Sequence, residues 1–158
     1  FTMQITKVPN NILAKRMEEV NVDDIKKGLY KDLVLDMKKA MVENNGVGLA
    51  ANQVGKDLAL FVVDAKTANA FQAPEVYFNP EITEYSKEEN ETEEGCLSIP
   101  DYWVPIKRSK KIKIKALDEN GNKIKFKAKG FLARVLQHET DHLNGITIKD
   151  RNSEISKS

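Results

Sequence analysis

The chain has 158 residues, a length that one hydrophobic core serves well, so a single catalytic domain over 1–150 with a polar C-terminal tail at 151–158 is expected. Its 41% hydrophobic and 31% charged residues exclude intrinsic disorder, and a formal net charge of +1 excludes a strong global field for nucleic-acid backbones. The lone cysteine, Cys96, excludes an intramolecular disulfide and points to a reducing compartment or to chemistry at the thiol.

Pro9, Asn10 and Asn11 fall where a signal peptide needs an apolar stretch, and there is no run of about 18 apolar residues to span a membrane. A soluble, cytoplasmic protein is expected, with Phe1 and Thr2 before Met3 read as a cloning remnant. From Asp23 to Asn44, Ile25, Leu29, Leu33, Met37, Ala40 and Met41 recur at three- and four-residue steps, which predicts one amphipathic helix. The Gly-rich GVGLAANQVG at 46–55 follows, then LALFVVD as a buried strand and EVYFNPEITEY as one or two strands broken at Pro80. KEENETEE at 87–94 reads as an acidic loop or edge leading into GCLSIP.

Two lysine-rich segments, KIKIKAL and KIKFKAK, flank the turn-like Glu119-Asn120-Gly121-Asn122, and predict a hairpin with a solvated lysine face. An RNA-facing ribbon is the alternative reading, although no specific nucleic-acid binding is evident. Phe131, Leu132, Val135, Leu136 and Leu143 then fall on a helical pattern from about Gly130 to Asn144, ended by Gly145. The polar DRNSEISKS is expected to be a loose tail. The order helix, many strands, helix predicts an α+β domain.

The second helix carries HETDH at 138–142. Positions four apart on a helix differ by about 40° in direction and about 6 Å in height, so His138 and His142 can both reach one cation, the plainer alternative being a helix that happens to carry two surface histidines and a glutamate. Glu139 lies close enough to meet a water there, the arrangement of a metal-assisted hydrolase. A catalytic ion needs a third protein ligand. Ile148 occupies the place of a downstream third histidine and Glu154 lies in the polar tail, so the search moves upstream, where Cys96 in EGCLSIP is the best donor. The plainer alternative for Cys96 is a buried inert side chain.

GVGLAA imitates a dinucleotide fingerprint, but a helix precedes it and a strand follows, the reverse of what that motif requires. Gly46 and Gly48 instead indicate close backbone approach or positive φ in a loop lining a cleft. Gln53 becomes an amide on its wall, able to donate to a developing oxyanion while its carbonyl accepts elsewhere. An exposed glutamine at a strand start is the competing reading.

In this order and spacing, GVGLAANQVG, EGCLSIP and QHETDHLNG resemble the peptide deformylase family from about Ile5 to Asp150. The resemblance implies antiparallel β-sheets packed around a central helix that carries HExxH and the metal, plus the N-terminal amphipathic helix. It implies that Cys96, His138 and His142 hold one divalent ion, Fe2+ first, with Zn2+, Ni2+ or Co2+ as alternatives. Glu139 would be general base for the hydroxide attack on the formyl carbon, and Gln53 with the Leu97 N–H would stabilise the oxyanion. Gly48 would hydrogen-bond the substrate. The implied substrates are N-formyl-Met peptides of nascent chains, with transient ribosome association and no membrane partner.

Val47 and Val135 are candidates to line the Met pocket, and Asp141 and Arg108 form either a charged layer behind the metal or a surface ion pair. Two departures stand out: Trp103 where some relatives carry arginine, and Thr147-Ile148 in place of a bulkier apolar pair. An HExxH metallopeptidase and a binding module stapled by its metal are the rival readings.

Overall fold

The computed structural model describes residues 3–157, with side chains through residue 152. The remnant read at Phe1 and Thr2 lies outside the described residues, as does the Glu154 side chain.

The predicted N-terminal helix is two helices, α1 (Val22–Lys26) and α2 (Lys31–Glu43). Gly28 adopts φ +78°, a left-handed conformation that ends the first helix, and the Leu29 that fits the apolar pattern is 65% exposed. Asn21 caps α1 through the Asp23 N–H. Strand β1 (Gly48–Ala50) and a 3-10 turn (Ala51–Val54) lead to β2 (Leu60–Val63) and a short helix α3 (Ala65–Ala70).

Strand β3 (Val76–Tyr85) is one strand running through Pro80; the kink is absorbed as a register shift between Phe78 and Glu81, with Asn79 at φ +49°. The acidic run expected as a loop or edge is paired backbone, β4 (Glu89–Cys96), antiparallel to β5 (Ile99–Ser109). Pairing with β5 overrides the poor strand propensity of its glutamates. The lysine hairpin is β6 (Lys111–Leu117) and β7 (Lys123–Lys129), closed by Gly121 at φ +83°. Helix α4 (Gly130–Leu143) follows, then α5 (Ile148–Lys157), so the segment read as a loose tail has helical backbone to residue 157. Ile148 anchors it, 1% exposed against Ile99 and Ile106.

The sheets are antiparallel: five strands in the order β1-β2-β3-β6-β7, and the separate pair β4-β5. Strand β2 is buried on both faces, which accounts for its unbroken apolar sequence. Phe61 and Val63 pack with Leu132, Val135 and Leu136 of α4, while Leu60 and Val62 pack with Met37 and Met41 of α2. Helix α4 is therefore a core helix, covered on nearly every side. Among the described residues no helix is long and apolar enough to cross a membrane.

Leu136 is fully buried on α4 beneath the sheet. Leu136→Ala is expected to lower the unfolding free energy by about 2–5 kcal/mol, as urea titration at fixed metal loading would measure.

Candidate active site

A helix buried all round should be apolar, yet α4 buries Arg134, Gln137, Glu139, Thr140, Asp141 and His142. Buried polar groups need partners, and most of these have them. Gln137 donates to the Ser109 carbonyl at 2.9 Å and accepts from the Ser109 N–H at 3.2 Å, fixing the helix to the end of β5. Arg134 donates to Glu94, to the Ile106 carbonyl at 3.0 Å and to Asn90. Asp141 accepts from Arg108 and from Arg151, the latter at 2.7 and 3.0 Å. Three side-chain atoms of α4 do not balance: Glu139 Oε1, Thr140 Oγ1 and His142 Nδ1 are buried with no partner among the described residues.

Beside them lie the three predicted donors. Cys96, His138 and His142 each offer one ligand atom, all within 4.8 Å of one another, so the trio could hold a metal ion. Cys96 Sγ, at the end of β4, is 3.2 Å from His142 Nε2. His138 Nδ1 lies 2.9 Å from Glu94 Oε1, a carboxylate–histidine contact that fixes the ring and leaves Nε2 for the interior of the trio. Asn52 holds the helix end from the other side, donating to the His142 carbonyl at 2.6 Å.

Gln53 is buried, not the exposed glutamine of the competing reading. Its Oε1 accepts from the Ala50 N–H at 3.0 Å, which turns its Nε2 toward Cys96 Sγ at 3.5 Å and Ser98 Oγ at 3.1 Å. Leu97 sits in the turn beyond Cys96, its carbonyl bonded by Lys7 Nζ at 3.0 Å. Neither Gly46 nor Gly48 needs positive φ; both are demanded by close approach. A Cβ on Gly48 would lie 2.6 Å from Glu139 Oε2, and one on Gly46 would lie 2.9 Å from Leu97 Cδ1. Gly48→Ala should displace the Glu139 carboxylate and reduce turnover more than it reduces stability, as kcat and thermal unfolding measured on one preparation would show.

The electrostatics follow from burial and from Glu94. Burial pushes Glu139 up to about 7, against the pull of His138. Burial also drives His142 well below its ordinary value, reinforced by His138. For His138 burial opposes the charge, but hydrogen bonds with the Cys96 sulfur and the Glu94 carboxylate outweigh it and raise the ring to about 10. Burial likewise opposes ionisation of Glu94, yet His138 and Arg108 hold it well below the usual carboxylate range. Ligation requires neutral imidazoles, so a divalent ion held by the trio would require His138 to give up that proton.

These residues open into a cleft of about 640 Å³ bounded by Val47, Gly48, Leu97, Trp103, Val135 and Glu139. Trp103 is 67% exposed at its rim and its ring lies on Gly95, where a Cβ would come within 2.8 Å. Arg108 and Asp141 form no surface pair: both are buried, and Arg108 also donates to Glu94 at 2.9 and 3.0 Å. Sequence reasoning missed Glu94, Arg134 and Asn52. An arginine inside an apolar helical stretch, one turn before His138, was the available signal that a carboxylate had to lie nearby.

A model of the polypeptide deformylase family matches residues 2–158. Peptide deformylase 1 of Clostridium perfringens is 54% identical over 141 residues, covering 89% of this chain and 91% of that protein. The peptide deformylase of Dictyoglomus turgidum is 47% identical, covering 94% of this chain and 92% of its own length. The crystal structure of peptide deformylase from Thermotoga maritima superimposes with a TM-score of 0.86 at 39% identity, over 96% of this chain and 97% of that one. The actinonin-bound class I type b enzyme of Acinetobacter baumannii gives 0.87 at 35% identity, over 95% and 97%. With matches of this extent, the chain belongs to the polypeptide deformylase family.

Proposed function

We propose that this protein hydrolyses the N-formyl group of N-formylmethionyl peptides, giving formate and a free N-terminal Met. The observation that carries the reading is the unpartnered Glu139 Oε1, buried beside a Cys-His-His trio at the floor of an open cleft. Related enzymes of Acinetobacter baumannii have been crystallised with Met-Ala-Ser and with actinonin.

Cys96, His138 and His142 would hold one divalent ion, which when bound would polarise the formyl carbonyl and acidify a water. Ferrous iron suits one thiolate with two imidazoles, and zinc, nickel or cobalt fit the same donors. Glu139 accepts the proton of the water as its oxygen adds to the formyl carbon. When the C–N bond breaks, Glu139 returns that proton to the leaving amine. Gln53 Nε2 and the Leu97 N–H donate to the oxygen that gains charge in the transition state, each donor contributing ~3 kcal/mol. Gly48 hydrogen-bonds the substrate backbone, Val47 and Val135 flank the Met side chain, and Trp103 presents an aromatic wall to the residues that follow. The substrates are the starts of nascent chains in a bacterial-type cytoplasm, reached through transient association with the ribosome. The catalytic unit is the single domain of residues 1–150.

Anaerobic purification with elemental analysis, beside formate release from formyl-Met-Ala-Ser, tests this. About one equivalent of metal and rapid formate release are expected, with acetyl-Met-Ala-Ser left intact. Cleavage of the Met-Ala bond without formate would make the protein a metallopeptidase instead.

A further inference from the structure

We propose that the outer face of the β6-β7 ribbon is a docking surface for an RNA backbone. The register sets lysine opposite lysine: Lys111 with Lys129, Lys113 with Lys127 and Lys115 with Lys125, and Lys123 continues the row. Strand side chains alternate, so Ile112, Ile114, Ala116 and Ala128 enter the core while the lysines share the other face. Six of these seven lysines are exposed, and Lys113 is half-buried. Directly opposed like charges destabilise a sheet, and a single charge already blocks unwanted pairing at an edge strand. Three opposed pairs exceed what edge protection requires.

Neutralisation is confined to the inner strand. Lys115 Nζ is 3.2 Å from Glu81 and Lys113 Nζ is 4.0 Å from Glu84, whereas among the described residues no ion pair involves Lys123, Lys125, Lys127 or Lys129. Those four lie on β7, the sheet edge. A hollow of about 500 Å³ beside Tyr85 and Ser86 is walled by Lys111, Lys113, Lys127 and Lys129 against the single carboxylate of Glu84, and it shares no residue with the Cys96–His138–His142 cleft.

The geometry selects the partner. Successive lysines on a strand stand ~7 Å apart and the two rows ~5 Å apart, a ladder of point charges matched to a regularly repeating anion. Ammonium groups lack the planar fork by which arginine reads bases or carboxylates in pairs, so the surface suits a phosphate backbone independent of sequence. Anionic membranes also attract lysine, but Ile112 and Ala128 between the lysines are buried, and the exposed Tyr85 beside the hollow falls short of the apolar face that an inserting surface presents. The near-neutral whole molecule makes this a local surface.

The test replaces Lys123, Lys125 and Lys127 together by Gln, and separately by Glu, sparing Lys129 because it is the N-cap residue of α4. Binding of a labelled oligouridine is followed by anisotropy over a salt series. The wild-type chain should bind at low salt and weaken steeply as salt rises. The Gln variant should bind about tenfold more weakly, with the slope of log affinity against log salt reduced by about 2, from roughly 0.7 per phosphate contact. The Glu variant should lose binding, while formate release and helical circular dichroism stay at wild-type levels. Absence of wild-type binding at low salt, equal binding by the Gln variant, or tighter binding to phosphatidylserine vesicles or polyglutamate than to oligouridine would each overturn the proposal.

Discussion

Glu139→Ala is expected to lower kcat on a formyl-Met peptide by about 10²–10⁴-fold, the range that general acid–base catalysis supplies, while metal content stays at the wild-type level. The separation follows from position: Glu139 lies outside the Cys96–His138–His142 trio, and its Oε1 has no partner that truncation would strand. A buried carboxylate lacking a hydrogen bond destabilises the folded state, so the variant should unfold at the wild-type temperature or above it. That sign separates a base from a structural residue, since a structural carboxylate would leave a less stable protein behind. Glu139→Gln keeps the shape packed against Gly48 and should lose rate to a similar degree. A preparation of either variant that turned over at the wild-type rate would refute the base assignment.

The parts of the fold that could be read from the residues are those where one local rule acts alone. Helix α4 has its period, and its end is set by Gly145, whose φ is +76° and where an added Cβ would come within 2.7 Å of the Lys15 backbone nitrogen, leaving no room for a side chain. The lysine hairpin has its alternation and its turn. The trio emerged by elimination, because with two histidines and one cysteine in the chain few donor sets were available.

What escaped was decided by partners distant in sequence. Strand β4 is rich in glutamate and looks like a loop; only pairing with β5 makes it a strand, and only that strand carries Glu94 from an acidic run into contact with Arg108, Arg134 and His138. The break at Gly28 is a case of one residue overruling a longer periodic pattern. Polar α5 lacks a continuous apolar stripe, and its start is fixed by Ile148 against β5.

The loss expected from Cys96→Ala is larger still: the variant should retain no stoichiometric metal, and formate release should fall to background. Two imidazoles remain, but with the thiolate removed the ion would have only His138 and His142, one fewer than a catalytic site uses. Neither neighbour substitutes easily. Glu94 is committed to Arg108, Arg134 and His138, and Gln53 offers the region an N–H while its oxygen is held by Ala50. Thermal unfolding gives a readout independent of turnover. An ion that binds only the folded chain stabilises it by RT ln(1 + [L]/Kd), about 2.7 kcal/mol at a hundredfold excess over Kd. A chelator should therefore lower the unfolding temperature of the wild-type protein and leave that of Cys96→Ala unchanged. Cys96→Asp, which restores an anionic donor at the same place, should recover part of the chelator-sensitive shift with zinc. One equivalent of metal in the alanine variant, with the wild-type response to chelator, would remove Cys96 from the ligand set.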